Sequence, residues 1–282
     1  MTDQQRISRR IASLGELRNV VRAMRGMAAA RVEAGQEALS GMRNRVKIVE
    51  DAIAAAASLL DAGEYHARKM QENAGLLIVI ASEHGFVGSF NENILEHAKG
   101  SLKPGQRTGV VGRRGGLLIG EKNVDPAWKL PGPSSIIGTG DAARAVANAS
   151  IEFDHIDILF ARYQSGGRYA FESRPVLPLP QDLLEAGGNG MPPLHHLSPE
   201  RLLLALAGEY LFAELSLAMA EGFVSENATR LAMMQVADHN ISEKVQDLEQ
   251  KERMIRQESI TMELLEIVTG EEAAIANGRS GP

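Results

Sequence analysis

A glycine-rich turn in the middle of this 282-residue sequence is the first candidate for chemistry. Gly138-Thr139-Gly140-Asp141-Ala142-Ala143 matches the pattern in which glycines precede a helix whose N-terminus holds a pyrophosphate. The strand before it would span only 135–137, and no acidic residue ends the next strand. We therefore favour a simple glycine turn into a helix capped by Asp141, and nucleotide binding stays the less favoured alternative.

A second glycine turn, Gly112-Arg113-Arg114-Gly115-Gly116, could cradle a phosphate between two arginines. It lacks the Gly-Lys-Ser/Thr ending of a phosphate-binding loop. Because most charge clusters are surface features, the pattern favours a solvated loop.

Neighbouring polar residues suggest hydrolytic or metal chemistry at two further places. Ser82, Glu83 and His84 are adjacent, but the members of a catalytic triad must converge in space and are rarely neighbours in sequence. His195-His196 could bind a metal, yet no second ligand pair has suitable spacing. Structural or surface roles are favoured for both, so we expect no catalytic group, no cofactor and no metal.

Composition excludes several classes of protein. The sequence has no cysteine, which removes disulfide frameworks, cysteine zinc sites and thiol nucleophiles. Its net charge of −6 argues against a general nucleic-acid binder. The best apolar run, Leu76 to Ala81, is far shorter than the ~20 residues that cross a bilayer, and the N-terminus is polar. Any work at a membrane is expected to proceed through a partner.

The first segment predicts one long helix that needs a helical partner. No proline occurs from Asp3 to Ala62, and the helical pattern continues to Leu60. Such a helix would be ~85 Å long, too long to be buried within one globule. The apolar residues that follow the 3-4-3-4 spacing of a coiled coil are Leu14, Leu17, Val21, Met24 and Ala28.

The last segment predicts a second long helix, from Ser198 to about Thr269. Ser198 is a good N-cap, and Pro199 suits the first helical position. A heptad-like seam follows, formed by Leu231, Met234, Ile241, Val245, Leu248, Ile255 and Met262. Asp238, Glu252 and Ser259 interrupt that seam, and such polar positions can fix the register of a coil or face another partner. We expect the two long helices to form an antiparallel pair.

The middle of the chain predicts an α/β layer. Buried or weaker strands are expected at 76–81, 107–112 and 156–163, an edge-like extended segment at 169–180, and helices at 91–99 and 141–150. The predicted fold class is α+β or α/β, a long antiparallel coiled coil of N- and C-terminal helices with an inserted Rossmann-like domain. The predicted boundaries are 1–73 for the N-terminal coiled-coil helix, 74–197 for the α/β domain and 198–282 for the C-terminal coiled-coil helix.

Basic residues flank the seams of both long helices. On the first helix they are Arg18, Arg22, Arg25 and Arg31, and on the last they are Lys251, Arg253 and Arg256. Charges at these positions are usually solvated flanks of a coil. The alternative is contact with an acidic partner.

Several stretches resemble the gamma subunit of F-type ATP synthases. They are Arg22-Ala23-Met24, Ala28-Ala29 and Arg31 in the first helix, Ala81 to Asn91 after the first strand, and 225–233 and 256–268 in the last helix. The resemblance is strong at both ends of the chain and weak in its middle. Glu83, His84, Ser89, Gly26 and Arg253 depart from the usual residues, which marks a divergent member.

The resemblance implies a rotor subunit of the central stalk that has no reaction of its own. The two terminal helices would form a shaft inside the alpha and beta subunits, and the foot would rest on the epsilon subunit and the c-ring. Ion flow through the c-ring would turn the shaft and drive ATP synthesis at the beta sites. The protein would be peripheral, on the cytoplasmic face of the bacterial inner membrane.

The same resemblance implies the residues that contact partners. Met24 and Arg25 would lie near an acidic lever loop of the beta subunits, and Arg31 belongs to the same N-terminal signature. Arg256, Gln257 and Thr261 would contact beta higher on the shaft. Two alternatives stay open at this point: a small α/β nucleotide-dependent enzyme with helical dimerisation arms, which would use the Gly138 turn, and a coiled-coil scaffold unrelated to ATP synthesis.

Overall fold

A computed structural model describes residues 3–60, 75–121, 126–164, 167–185 and 194–278. The chain divides into two compact units. We call Met1–Arg25 with Met234–Pro282 the coil unit, and Gly26–Met233 the sheet unit. The helices are α1 (Asp3–Ala57), α2 (Phe90–Ser101), α3 (Arg113–Glu121), α4 (Thr139–Ala149), α5 (Gln181–Glu185) and α6 (Pro199–Gly278). The strands are β1 (Gly75–Ile80), β2 (Arg107–Val111), β3 (Trp128–Leu130), β4 (His155–Tyr163) and β5 (Tyr169–Leu177).

The sheet unit is built on five strands in the order β3-β2-β1-β4-β5. The first four strands are parallel, and β5 runs antiparallel at one edge. The apolar run of β1 lies at the centre and is buried on both faces, as the sequence predicted. Pro175 lies within β5, which an edge strand tolerates because one side of its ladder has no partner strand.

Two close approaches pack the long helices of the sheet unit onto each other and onto the sheet. A Cβ on Gly222 of α6 would lie 2.9 Å from the Ile80 side chain of β1. A Cβ on Gly35 of α1 would overlap the Val224 side chain of α6. The resulting core contains Ile53 from α1, Ile78 from β1 and residues of α6 in one continuous apolar cluster.

The two long helices run antiparallel within each unit. In the coil unit, Ser8 donates a hydrogen bond to Glu252 and Arg18 contacts Asp238, so residue numbers rise on one helix as they fall on the other. In the sheet unit, the same order holds for Arg43 with Glu221 and for Arg45 with Glu209. These pairs confirm the predicted antiparallel coil and show that two of the polar seam positions, 238 and 252, are used by α1.

Some elements differ from the sequence-based expectation. The stretch predicted as a solvated loop, 112–116, enters helix α3, and 135–137 contains the start of a 3-10 helix, Ile136–Gly138, rather than a strand. The edge strand β3 was not predicted, because it is only three residues long. Leu17, placed on the predicted seam, is 49 % exposed. The domain boundary at 73/74 lies outside the described residues, and the three-domain division stays a prediction.

Helix α6 contains an 18-residue stretch with a mean hydropathy of 1.6, long and apolar enough by composition to cross a membrane. The sequence predicts no span here, because glutamates interrupt the apolar residues of α6. In the structure 56 % of that stretch is buried. Burial of that extent is the pattern of a core helix packed on a sheet, and Leu215 and Met219 of α6 are fully buried in one apolar cluster with Ile78 of β1.

Candidate functional site

The turn after β1 is joined to α6 by a buried carboxylate. Glu226 accepts hydrogen bonds from the backbone N–H of Glu83 at 2.9 Å and of His84 at 3.1 Å. Arg230, one helical turn further along α6, donates at 2.6 Å to Oε1 of Glu226, the oxygen that also accepts from His84, and to the Gly85 carbonyl oxygen at 3.1 Å. Glu226 is 5 % exposed and Arg230 4 % exposed. A charge pair so enclosed is stable only because each partner is also satisfied by hydrogen bonds.

Glu83 then joins the same turn to the rest of the sheet edge. Its carboxylate accepts from the backbone N–H of Arg113 at 3.0 Å, the first residue of α3, and from that of Gly132 at 2.7 Å, just after β3. The Arg113 side chain adds an ion pair at 3.1 Å. A helix N-terminus favours an anion, and here the anion is a side chain of the protein itself.

Two further residues close the turn. The Ser82 backbone N–H donates to the Asn91 side-chain oxygen at 2.9 Å, and the Asn91 amide donates to the Ser82 hydroxyl at 2.7 Å. The Ser82 hydroxyl donates to the His84 carbonyl oxygen at 2.9 Å. We call Ser82, Glu83, Asn91, Glu226 and Arg230 the β1 anchor. Ser82 and Glu83, weighed as hydrolytic residues from the sequence, are therefore engaged in holding the chain in place.

The glycines of 112–116 have a steric role in this arrangement. Gly112 has a φ of +108°, and a Cβ there would lie 2.6 Å from the carbonyl oxygens of Ala81 and Ser82. A Cβ on Gly115 would overlap the Ala81 side chain. These contacts let α3 approach β1 closely, as glycines do in nucleotide-binding turns. The segment expected to be a solvated loop is thus a helix whose two arginines are exposed, and the anion position at its N-terminus is filled by Glu83.

The Gly138 turn lacks the features of a dinucleotide site. The element before α4 is a 3-10 helix, and a Cβ on Gly140 would meet no atom within 4 Å, so no close approach requires that glycine. Gly138 precedes the helix, so the expected cap at Asp141 is also wrong. Beside it lies a cleft of about 350 Å³, lined mainly by apolar side chains that include Ile136, Ile137 and Phe212.

A cluster of three arginines on α1 surrounds one aspartate of α6 in the coil unit. The distances from Asp238 are 2.9 Å to Arg18, 3.2 Å to Arg22 and 3.1 Å to Arg25. The hydrogen bond from Arg18, helped by the charges of the neighbouring arginines, lowers the pKa of Asp238. Arg25, predicted to face an acidic partner, therefore also has a carboxylate of its own chain beside it. We call these four residues the arginine cluster.

The other predicted contact residues lie on the long helices with different exposure. Met24 and Arg31 are half-buried on α1. Arg256, Gln257 and Thr261 are exposed on α6, where the Thr261 hydroxyl donates to the Gln257 carbonyl oxygen at 2.8 Å. Exposed apolar side chains accompany them along the same part of the helix: Ile260, Met262, Leu264, Leu265, Ile267 and Val268.

Two further buried charge networks were missed from the sequence. Glu221 of α6 accepts from Arg43 of α1 at 2.5 Å and from the Tyr163 backbone N–H of β4 at 2.9 Å. Arg174 of β5 pairs with Glu214 of α6 at 2.6 Å and also with Glu172. Acidic residues in a long helix carry no sequence signal that separates these buried positions from solvated ones.

The pKa values of the two carboxylates that pair with Arg174 are shifted in opposite directions. Burial raises the pKa of Glu214 by more than Arg174 lowers it. Burial also acts to raise the pKa of Glu172, but the hydrogen bond and charge of Arg174, together with Arg162, outweigh it and the pKa is lowered. The same guanidinium therefore has one partner that resists ionisation and one that favours it.

The comparisons with known proteins agree over nearly the whole chain. The family model described as ATP synthase matches residues 3–274. The chain belongs to the ATP synthase family. A relative from Syntrophobacter fumaroxidans named ATP synthase gamma chain is 28 % identical and covers 95 % of this chain and 97 % of its own. One of the same name from Paracoccus denitrificans is also 28 % identical, over 95 % of this chain and 98 % of its own.

Solved structures show the same fold. A chain of the Euglena gracilis mitochondrial ATP synthase, from a structure of its OSCP, F1 and c-ring, superposes with a TM-score of 0.59 at 17 % identity, over 99 % of this chain and 96 % of its own. A chain from the central stalk and c-ring of the Tetrahymena thermophila enzyme gives 0.58 at 17 % identity, over 77 % of this chain and 99 % of its own. The predicted family, the fold class and the non-catalytic central-stalk role are thereby confirmed, and the alternative of a nucleotide-dependent enzyme is not favoured.

Proposed function

We propose that this chain transmits torque between a membrane c-ring and a catalytic ring of alpha and beta subunits, with the epsilon subunit as a further partner at the foot. The observation that carries the proposal is the β1 anchor. It fixes the sheet unit to α6 through buried charge and backbone hydrogen bonds, and α6 continues as the exposed helix that bears Arg256, Gln257 and Thr261. Within the sheet unit, the β1 turn and the segment of α6 that carries Glu226 and Arg230 are therefore expected to move together.

The position in the cell follows from the same role. An ATP synthase central stalk is part of a membrane-associated complex, and relatives from bacteria match this chain over almost its full length. The proposed location is the cytoplasmic face of a bacterial inner membrane, with contact to the membrane only through the c-ring.

The proposed contact residues are Met24, Arg25, Arg31, Arg256, Gln257 and Thr261. Met24 is half-buried beside the arginine cluster, where an added cation would change the charge facing a partner. Arg256 and Gln257 are exposed and free of burial within the chain, as a contact with a surrounding ring requires.

Met24→Lys tests the coupling role. In the purified complex reconstituted into vesicles, we expect the number of ions pumped per ATP hydrolysed to fall about two- to fivefold. One added surface ion pair supplies a factor of that size when it stabilises the shaft at a single angle. Pumping and hydrolysis are measured on the same vesicles. Arg25→Ala, which removes a cation at the same height, should change that ratio as well.

Ile48→Lys is the matched control, because it adds the same charge to an exposed apolar position of α1 in the sheet unit. It should keep the ratio of the unmodified complex. The contact assignment fails if Met24→Lys and Arg25→Ala assemble and pump as Ile48→Lys does. The rotor proposal itself fails if the chain does not copurify with an alpha and beta ring.

A further inference from the structure

The arginine cluster carries more positive charge than its own chain neutralises. Three guanidinium groups converge on one carboxylate, which leaves a surplus of two positive charges. Oδ1 of Asp238 takes Arg18 and Arg22, and Oδ2 takes Arg25. One nitrogen of each guanidinium makes these contacts, and a guanidinium has five N–H donors, so donors remain on every arginine of the cluster.

Neighbouring residues do not cancel that surplus. Glu16 is the one acidic residue of α1 between Arg6 and Arg25, and Asp238 is the one acidic residue of α6 from 234 to 242. The side chain of Asp238 is only 14 % exposed, whereas those of Arg18, Arg22 and Arg25 are 32 %, 48 % and 40 % exposed. The anion is therefore covered and the cations face outward.

The chemistry of the cluster fits a protein carboxylate. The group that the three guanidinium groups already hold is a side-chain carboxylate, and a carboxylate of a partner segment can take its place in kind. The exposed Val20 and Val236 lie two residues from Arg18, Arg22 and Asp238, which is the opposite side of a helix, so they are not part of this surface.

We propose that Asp238 is an exchangeable counter-ion, which holds the three arginines in place when no partner faces them and releases their charge to an acidic partner segment. The proposal rests on the proposed rotor function and adds a regulator to it. Asp238 keeps the attraction to the partner weak enough for the contact to be made and broken as the shaft turns. The arginine ends of these ion pairs are a third to a half exposed, so water and salt compete for the guanidinium groups there.

Asp238→Asn tests the exchange. The substitution keeps the shape and raises the surplus from two charges to three, so the partner contact should tighten. We expect ATP hydrolysis by the purified complex to slow about two- to fivefold at low ionic strength and to recover as salt screens the cluster. The measurement is the hydrolysis rate as a function of ionic strength. Arg22→Gln, which removes the most exposed cation, should change the salt dependence in the opposite direction.

Asp247→Asn is the matched control, because it removes the same charge from an exposed position of α6 whose partner is Lys244 at 3.9 Å. It should keep the unmodified salt dependence. The counter-ion proposal is overturned if Asp238→Asn and Asp247→Asn respond to salt alike. If Asp238→Asn prevents assembly, the complex carrying Arg22→Gln provides the test. The counter-ion proposal is then overturned if ATP hydrolysis by that complex depends on salt as in the unmodified complex.

The test separates this proposal from the rotor function. If complexes carrying Asp238→Asn assemble and pump with an unmodified salt response, the exchange is wrong while the rotor function stands. If the unmodified chain neither joins the ring nor supports pumping, the rotor function is wrong and the counter-ion has no partner to regulate.

Discussion

The β1 anchor and the arginine cluster use the same two chemical groups in opposite ways. In the anchor, Glu226 is buried and two of its three hydrogen bonds come from backbone N–H groups. In the cluster, Asp238 receives only side-chain donors, and all three stay partly exposed. Backbone donors cannot swing away, whereas guanidinium groups on flexible stems can. The same carboxylate–arginine chemistry thus makes a fixed joint in the sheet unit and an adjustable surface in the coil unit.

The largest expected effect is on the fixed joint. Glu226→Gln keeps the size of the side chain but leaves the buried Arg230 without a counter-charge, which typically costs about 3–5 kcal/mol of unfolding free energy. Trp128, the one tryptophan of the sequence, lies on β3 and reports on the sheet unit. We expect its fluorescence to show a lower urea midpoint for unfolding.

Glu243→Gln is the control for that substitution, since Glu243 pairs with His239 on an exposed part of α6. Its urea midpoint by the same fluorescence signal should match the unmodified chain. A Glu226→Gln midpoint equal to that of the control would show that the anchor does not stabilise the sheet unit.

The next effect concerns the backbone of the anchor. Gly112→Ala places a Cβ against two carbonyl oxygens at a φ that L residues rarely adopt, at a cost of about 1–3 kcal/mol. Gly41→Ala, in open space within α1, should instead stabilise by up to about 1 kcal/mol, because alanine suits a helix interior better than glycine. Thermal unfolding followed by circular dichroism measures both, and shifts of the same sign would contradict the steric account.

The smallest effect comes from the two carboxylates around Arg174, and it depends on pH. The folded pKa of Glu214 is raised above its ordinary value of 4.5, so the folded state holds more protons and stability falls as pH rises through that window. The folded pKa of Glu172 is lowered, so its contribution is present above 4.5 and is lost as pH falls. Glu214→Gln should flatten the stability curve above pH 4.5, and Glu172→Gln should flatten it below.

Urea midpoints of the two variants, measured from about pH 3 to about pH 8, check this pair, because that span runs from below the ordinary pKa of a carboxyl group to well above it. Each variant serves as the control for the other, because both remove one carboxylate from the same guanidinium. If both stability curves flatten in the same pH window, the pKa values of Glu214 and Glu172 are not shifted in opposite directions and the account is wrong.

The sequence predicted the parts of this fold that periodicity governs. The run at 76–81 is apolar throughout, and the long helices lack proline and keep a heptad-like spacing, so β1, α1 and α6 were expected with nearly their observed bounds. Helix α3 was not expected, because Gly115 and Gly116 are poor helix formers and stand beside two arginines. Its tertiary contacts with β1 overcome that local preference.

The anchor and the cluster could be predicted only in part. The family resemblance drew attention to Ala81–Asn91 and to 225–233, but no spacing shows that Glu226 binds the backbone of Glu83 across 143 positions. Asp238 was expected to interrupt the seam and either to fix the register or to face another partner. That three arginines meet there follows from the register of two helices, which the sequence does not specify.

The carboxylate of Glu83 at the start of α3 has a consequence for inhibitor design. The crevice beyond the carboxyl ends of parallel strands is where small molecules usually bind in such sheets. Here the Glu83 carboxylate already fills that crevice. Because Glu83 is tethered to the chain, its effective concentration at the site is higher than that of a soluble phosphate mimic. Compounds designed to bind at this sheet edge are therefore expected not to bind there.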